Sequence, residues 1–208
     1  MSFSLKFAED DVKVLASETA YQGFFTISKE VLSHRLFEGG WSEPLTREVF
    51  QRGDAVGVLP FDIQRDELIL VEQFRPGARR KGQSAWMLEL VAGVVDPGES
   101  DEQVAKREAE EEAGCVIDRL VPVANYFPSA GACSEQVRLF CGRVCSHSAG
   151  AVMGLETEGE NILVHALPRA EVLQLLAAGK INNGHTLIVL QWLALNGETL
   201  RRQWLSQE

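Results

Sequence analysis

The sequence predicts an α/β protein, a strand-rich body flanked by helices with a small antiparallel sheet at the N-terminus. Residues 85–92 form a near-continuous apolar run, the mark of a buried strand. Short β-like runs separated by turn residues lie on both sides of it. Three segments carry helix start and stop signals: from Ser100 to Gly114, from Pro168 to Gly179, and over residues 185–195.

In chain order, residues 1–50 alternate β-like runs at 23–28, 33–37 and 45–50, broken by Gly39-Gly40. This accessory sheet is too short to bury a core of its own, so it must lean on the main domain or on a second subunit. Phe24 and Phe25 would face opposite sides of a strand, so one can be core while the other points outward. Residues 51–208 then make the main domain. Its runs at 55–60 and 67–72 flank a turn at 62–66 and predict a hairpin. Arg75, Arg79, Arg80 and Lys81 follow in a loop bearing Gly and Pro. Guanidinium groups suit phosphate, although Arg79, Arg80 and Lys81 read as ordinary surface charge.

The buried strand delivers the chain to Gly93, and Asp96-Pro97-Gly98 turns it toward a helix. Ser100 stands at the N-cap with Gln103 completing a capping box, and Gly114 ends the helix as an αL residue. Val104, Ala105, Ala109 and Ala113 supply its small apolar side. Strands at 120–127 and 137–144 are joined by residues 128–135, whose small side chains let a ligand approach the backbone. Residues 149–159 are irregular before a strand resumes at 161–167, and Glu156, Glu158 and Glu160 make this either a solvated acidic loop or part of a site. Of the two closing helices, one carries the core stripe Val172, Leu173, Leu175 and Leu176, and the other stops at Asn196-Gly197.

A chain of 208 residues with 45% hydrophobic content supports one sizeable core and a small accessory sheet. The net charge of −10 argues against nucleic-acid and anionic-membrane partners, whereas an anionic nucleotide stays possible if a metal reverses the local potential. Cys115, Cys133, Cys141 and Cys145 lack C-x-x-C spacing and read as reduced thiols, and His34, His147, His165 and His185 lack metal-ligand spacing. The first residues show no basic start or apolar stretch, and no segment reaches membrane-spanning length, so a cytoplasmic protein is expected.

The first helix carries more acid than folding alone explains. Glu108 to Glu111 and Glu108 to Glu112 are like-charge neighbours on one face, near a helix end that is already partly negative. A divalent cation relieves that repulsion, and grouped carboxylates suit Mg²⁺, with Mn²⁺ possible. The alternative is a solvated face with Lys106 and Arg107 as partial neutralisers. Spacing decides between them. Gly93, five residues, Glu99, seven residues, then Arg107-Glu108-Ala109-Glu110-Glu111-Glu112-Ala113-Gly114 resembles the Nudix box, here residues 93–115, with smaller or softer residues at Ala109 and Cys115 than the family pattern asks for.

The likeness extends through Gly23-Phe24-Phe25, His34-Arg35-Leu36-Phe37, Arg47-Glu48, Leu59-Pro60-Phe61-Asp62, Val71-Glu72-Gln73, Trp86 and Leu190-Gln191-Trp192-Leu193. Over nearly its full length the chain is similar to the bacterial ADP-ribose pyrophosphatase subfamily. The resemblance implies the Nudix fold, a mixed sheet flanked by helices, and a homodimer formed by exchanging the N-terminal sheet. It implies metal ligands at Ala92 (through its carbonyl), Glu108, Glu112 and Glu160, with Glu158 as general base and Glu111 on the metal-facing side. Glu99 and Arg107 would brace the loop against the helix. Phe24, Arg47, Glu48, Arg75, Ser129 and Glu135 would lie on the substrate side, with Phe24 stacking on adenine. The expected reaction is metal-dependent hydrolysis of ADP-ribose to AMP and ribose 5-phosphate. Its rivals are hydrolysis of another nucleotide sugar such as GDP-mannose, and a module that binds ADP-ribose without cleaving it.

Overall fold

The computed structural model describes residues 3–144 and 147–207, and the chain divides into two compact units. The first comprises residues up to Gly53 together with Phe127–Glu135. It holds an antiparallel sheet of β1 (Val12–Gln22), β2 (Thr26–His34) and β3 (Leu45–Gln51), in that order. The structure departs from the expected runs in three places. A long strand occupies residues 12–22, exposed at every position, so no buried-exposed alternation announces it. Gly23-Phe24-Phe25, expected to start a strand, is instead the β1–β2 turn, with Gly23 N donating to Phe25 O at 2.9 Å. The run at 33–37 likewise ends at His34, because Gly39 and Gly40, both at positive φ, fold the chain into a loop closed by Leu36 N to Gly40 O at 3.2 Å. The 127–135 segment is tied to β3 through Phe50 N to Ala132 O and Ser134 N to Phe50 O.

The second unit holds β4 (Ala55–Asp62), β5 (Glu67–Phe74), β6 (Trp86–Glu89), β7 (Val91–Val94), β8 (Ile117–Tyr126), β9 (Val137–Val144), β10 (Val152–Met153) and β11 (Ile162–Pro168). They form one eight-stranded sheet, mixed because β4 and β9 run parallel while the other pairs are antiparallel. The period-2 pattern of the central strands fills two cores. On β4 and β5, Leu59, Phe61, Leu68 and Leu70 pack on one face with Val189, Leu190, Leu193, Leu200 and Trp204 of helix α3 (Gly184–Leu205) and Val172 of α2 (Arg169–Ala177). Val56, Val58, Ile69 and Val71 pack on the other face with Val104, Ala105, Ala109 and Ala113 of α1 (Asp101–Ala113). The result is a sheet between helical layers.

The apolar run 85–92, expected to be one strand, is two. β6 pairs with β5 and β7 pairs with β4, and the break falls at the buried Leu90, whose N–H goes to Thr186 Oγ1 at 3.0 Å instead of into a ladder. β4 meets β5 at only two positions, so β6 and β7 are inserted where those central strands part. The last helix also runs through Asn196-Gly197. Gly197 is buried there, and a β-carbon on it would lie 3.1 Å from Leu193, so this glycine serves close packing and does not end the helix. Cys115, Cys133 and Cys141 are free thiols, and Cys145 lies outside the described residues.

Candidate active site

α1 is fixed at both ends as its sequence suggests. Ser100 Oγ accepts from Gln103 N at 3.3 Å while Gln103 Oε1 accepts from Ser100 N at 2.8 Å, and Gly114 takes φ 59°. Ala109 and Cys115 are buried with Cys115 N bonded to Ala109 O, so small side chains at both positions let helix and following strand close up. This frame aims Glu108, Glu111 and Glu112 along one side.

Glu112 is 2% exposed, and its Oε2 accepts from Ala92 N on β7 at 3.2 Å. Glu108 lies over Gly93: a β-carbon there would overlap its carboxylate, so the first glycine of the spacing pattern exists to admit a glutamate. Arg107 grips the array. Its Nε and Nη2 donate to Glu99 at 3.0 and 2.9 Å, a bidentate pair, and its Nη1 reaches Glu108 at 2.8 Å and Glu111 at 3.1 Å. That one guanidinium joins the loop acid to two helix acids, which raises its own pKa and holds Glu99 below the usual carboxylate range.

Glu160 arrives from the loop before β11. Its Oε2 accepts from Leu155 N at 3.0 Å, and Gly154 N donates to Glu111 O at 3.2 Å, tying the loop to α1. Gly154 is at φ 97°, and a β-carbon there would come within 2.7 Å of Glu160. The carboxylates feel one another. Burial pushes Glu112 up to about 8, with the charges of Glu108 and Glu160 adding to the rise and Arg75 opposing it. Glu108 is raised by burial too, against the pull of Arg107. Four acids converge where only part of their charge is balanced by protein cations, and such an all-oxygen set fits a hard divalent ion.

Beside them is a cleft of about 340 Å³ lined by Gln73, Phe74, Arg75, Trp86, Glu158, Glu160 and their neighbours. Glu158 is exposed in a single 3₁₀ turn, Glu156–Glu158. Three further lining residues have no site role in the sequence reading: Gln73 and Trp86 are named there only within the family likeness, and Phe74 not at all. Gln73 is buried and reads as strand interior, and Phe74 and Trp86 pack edge-on at 5.3 Å although the apolar run had placed Trp86 in the core. Trp86 is 59% exposed. Behind the cleft, Glu89 is buried and accepts from Arg75 Nε at 2.9 Å; its one sequence signal is an acid inside an apolar run.

The remaining expected substrate-side residues belong to the first unit. Phe24 sits at the β1–β2 turn, 96% exposed, with its ring edge-on to Phe25 at 4.7 Å. Phe25 packs on Phe50. Arg47 and Glu48 are exposed on β3 opposite Glu30 and Lys29 of β2. Ser129 is exposed and its carbonyl accepts from Ala132 N and Cys133 N. Glu135 is buried, 3.3 Å from Arg52 Nε.

One histidine falls in an acidic group after all. Asp62, Glu67 and His147 bring ligand atoms within 4.8 Å at the β4–β5 hairpin. Asp62 there accepts from Gln64 N and Arg65 N and pairs with Arg65 Nη1, which also meets His147 Nε2 at 3.3 Å. The cation in that group is the protein's own, and its work is the hairpin turn.

Comparison with known proteins agrees with this geometry. The NUDIX domain family model matches residues 51–167. The chain is 42% identical over 198 residues to an ADP-ribose pyrophosphatase of Escherichia coli, covering 95% of each. It is 42% identical over 207 residues to that of Haemophilus influenzae, covering 98% of this chain and 95% of the relative. A GDP-mannose pyrophosphatase of Yersinia enterocolitica is 28% identical over 89% of the chain and 96% of its own length. A crystal structure titled as an ADP compounds hydrolase superposes with a TM-score of 0.67 at 22% identity, covering 99% of this chain and 98% of the other, and shares the fold.

Proposed function

The chain belongs to the Nudix family, and from that premise we propose that it hydrolyses the pyrophosphate of ADP-ribose, giving AMP and ribose 5-phosphate. The chemistry is carried by one observation: buried Glu112 feels the charges of Glu108 and Glu160, and Glu160 also lines the cleft that holds Arg75 and Glu158. The substrate assignment is supported by the likeness to the two ADP-ribose pyrophosphatases along nearly the whole chain, against a weaker likeness to the GDP-mannose enzyme.

Glu108, Glu112, Glu160 and the Ala92 carbonyl would hold Mg²⁺ or Mn²⁺, with Glu111 beside them. The bound ion supplies neutralisation of the phosphate oxygens and a more acidic water. Glu158, exposed on the cleft wall, takes the proton of the attacking water; oxygen bonds to one phosphorus as the bridging P–O bond breaks, and the second phosphate leaves. Arg75 places its guanidinium against phosphate. Arg107 and Glu99 keep the carboxylates in register through ion pairs that do not touch substrate.

The first unit serves in this reading as a dimerisation element exchanged between two copies, bringing Phe24 to adenine and Arg47, Glu48, Ser129 and Glu135 to the substrate side. The eleven exposed residues of β1, among them Val12, Val14, Leu15 and Tyr21, favour a partner along that strand. We place the enzyme in the cytoplasm, and its net charge of −10 argues against nucleic-acid and anionic-membrane partners. Among the described residues no helix is long and apolar enough to cross a membrane.

The test is a panel of nucleotide sugars with Mg²⁺, scored by released phosphomonoester. ADP-ribose should be turned over fastest. Faster turnover of GDP-mannose would reassign the substrate, and tight binding of ADP-ribose without turnover would remove the catalytic reading.

A further inference from the structure

The arginine of the cleft is held from behind by a buried acid. Glu89 is 2% exposed, yet both its oxygens have partners: Oε2 accepts from Arg75 Nε at 2.9 Å and Oε1 accepts from Asn183 Nδ2 at 2.8 Å. Asn183 cannot turn its amide round. Its Oδ1 already accepts from Thr186 N and Thr186 Oγ1, both at 3.0 Å, as the N-cap of α3. Thr186 Oγ1 in turn accepts from Leu90 N, which fixes the break between β6 and β7. The hydrogen-bond directions along this line are therefore fixed, from the helix end to Nε of the guanidinium. Glu89 takes Nε of Arg75, and Arg75 itself lines the cleft together with Glu158 and Glu160.

We propose that Glu89 and Asn183 are positioning residues for Arg75, setting its guanidinium fork for a phosphate of the nucleotide-sugar substrate. This rests on the hydrolytic reading above. Only a carboxylate fits at position 89, because both neighbours donate. An amide has one acceptor oxygen and would turn an NH₂ toward either Arg75 or Asn183.

Glu89→Gln is expected to lower kcat/KM for ADP-ribose on the order of 100-fold, the cost of a misplaced binding group, with the Mg²⁺ concentration for half-activity unchanged. Arg75→Ala should lose a similar factor, and the double variant should be no worse than Arg75→Ala alone. Added guanidinium ion should restore turnover to Arg75→Ala, where Glu89 can hold it, and not to the double variant. Losses that multiply, or equal rescue of both proteins, would overturn the proposal. Circular dichroism checks that Glu89→Gln folds. If it does not, Asn183→Ser decides: serine keeps the cap on α3 but is too short to reach Glu89, so kcat/KM should fall, and an unchanged value refutes the relay. Should the wild-type protein prefer another nucleotide sugar, the same variants are read on that substrate, which separates a wrong substrate from a wrong role for Glu89.

Discussion

Replacing Glu112 by Gln should make the metal-free protein more stable at neutral pH, and the gain can be worked out. The side chain is buried, and its carboxyl is pushed from the usual 4.5 up to about 8 by burial and by Glu108 and Glu160. Between those values the folded chain keeps a proton that the unfolded chain has released. The sign follows: the stability is fully present below 4.5 and is lost as pH rises through about 8. One retained proton corresponds to about 1.4 kcal/mol per pH unit, hence about 3 kcal/mol between roughly pH 5 and pH 7.5. Urea unfolding in EDTA across that range should show the wild-type midpoint falling with pH more steeply than that of Glu112→Gln, in which the raised Glu108 keeps part of the slope. Mg²⁺ should restore the wild type at the upper end and do little for the variant. If Glu112→Gln keeps the wild-type slope, the buried proton lies elsewhere and the electrostatic account of the site is wrong.

Three further outcomes are expected. Glu158→Gln should lower kcat by about 10²- to 10⁴-fold with an unchanged Mg²⁺ requirement, the loss of a general base, and an unaltered kcat would move the base to another residue. Gly93→Ala should raise the Mg²⁺ needed for half-activity by about 10- to 100-fold, since the new methyl group must displace the Glu108 carboxylate; a wild-type Mg²⁺ titration would contradict that contact. Ser100→Ala should cost about 1 kcal/mol in urea unfolding while kcat/KM stays put, and an equal stability would mean the cap hydrogen bond contributes nothing.

What the sequence by itself determined is what depends on near neighbours along the chain. The caps of α1 and the β4–β5 hairpin follow from turn and cap chemistry within a few residues, and α2 starts one residue after the expected Pro168, which is its N-cap and the last residue of β11. The spacing that puts Glu108, Glu111 and Glu112 on one side of a helix is local too. Patterns mislead where tertiary surroundings reuse a local signal. Asn196-Gly197 reads as a helix stop, but Leu200 and Trp204 beyond it are core residues, and their burial carries the helix on. β1 shows no alternation because it buries neither face.

Only the tertiary structure decided which distant residues share a pocket. Glu160 meets the helix acids because its loop is tied to Glu111, and the apolar run at 85–92 breaks because Thr186, nearly a hundred residues on, takes the Leu90 amide. That break sets Glu89 behind Arg75 and leaves Trp86 at the cleft. The physical reason is the same in each case: a hydrogen bond or a raised pKa depends on atoms a few ångströms away in space, and chain spacing sets that separation only within a turn or a hairpin.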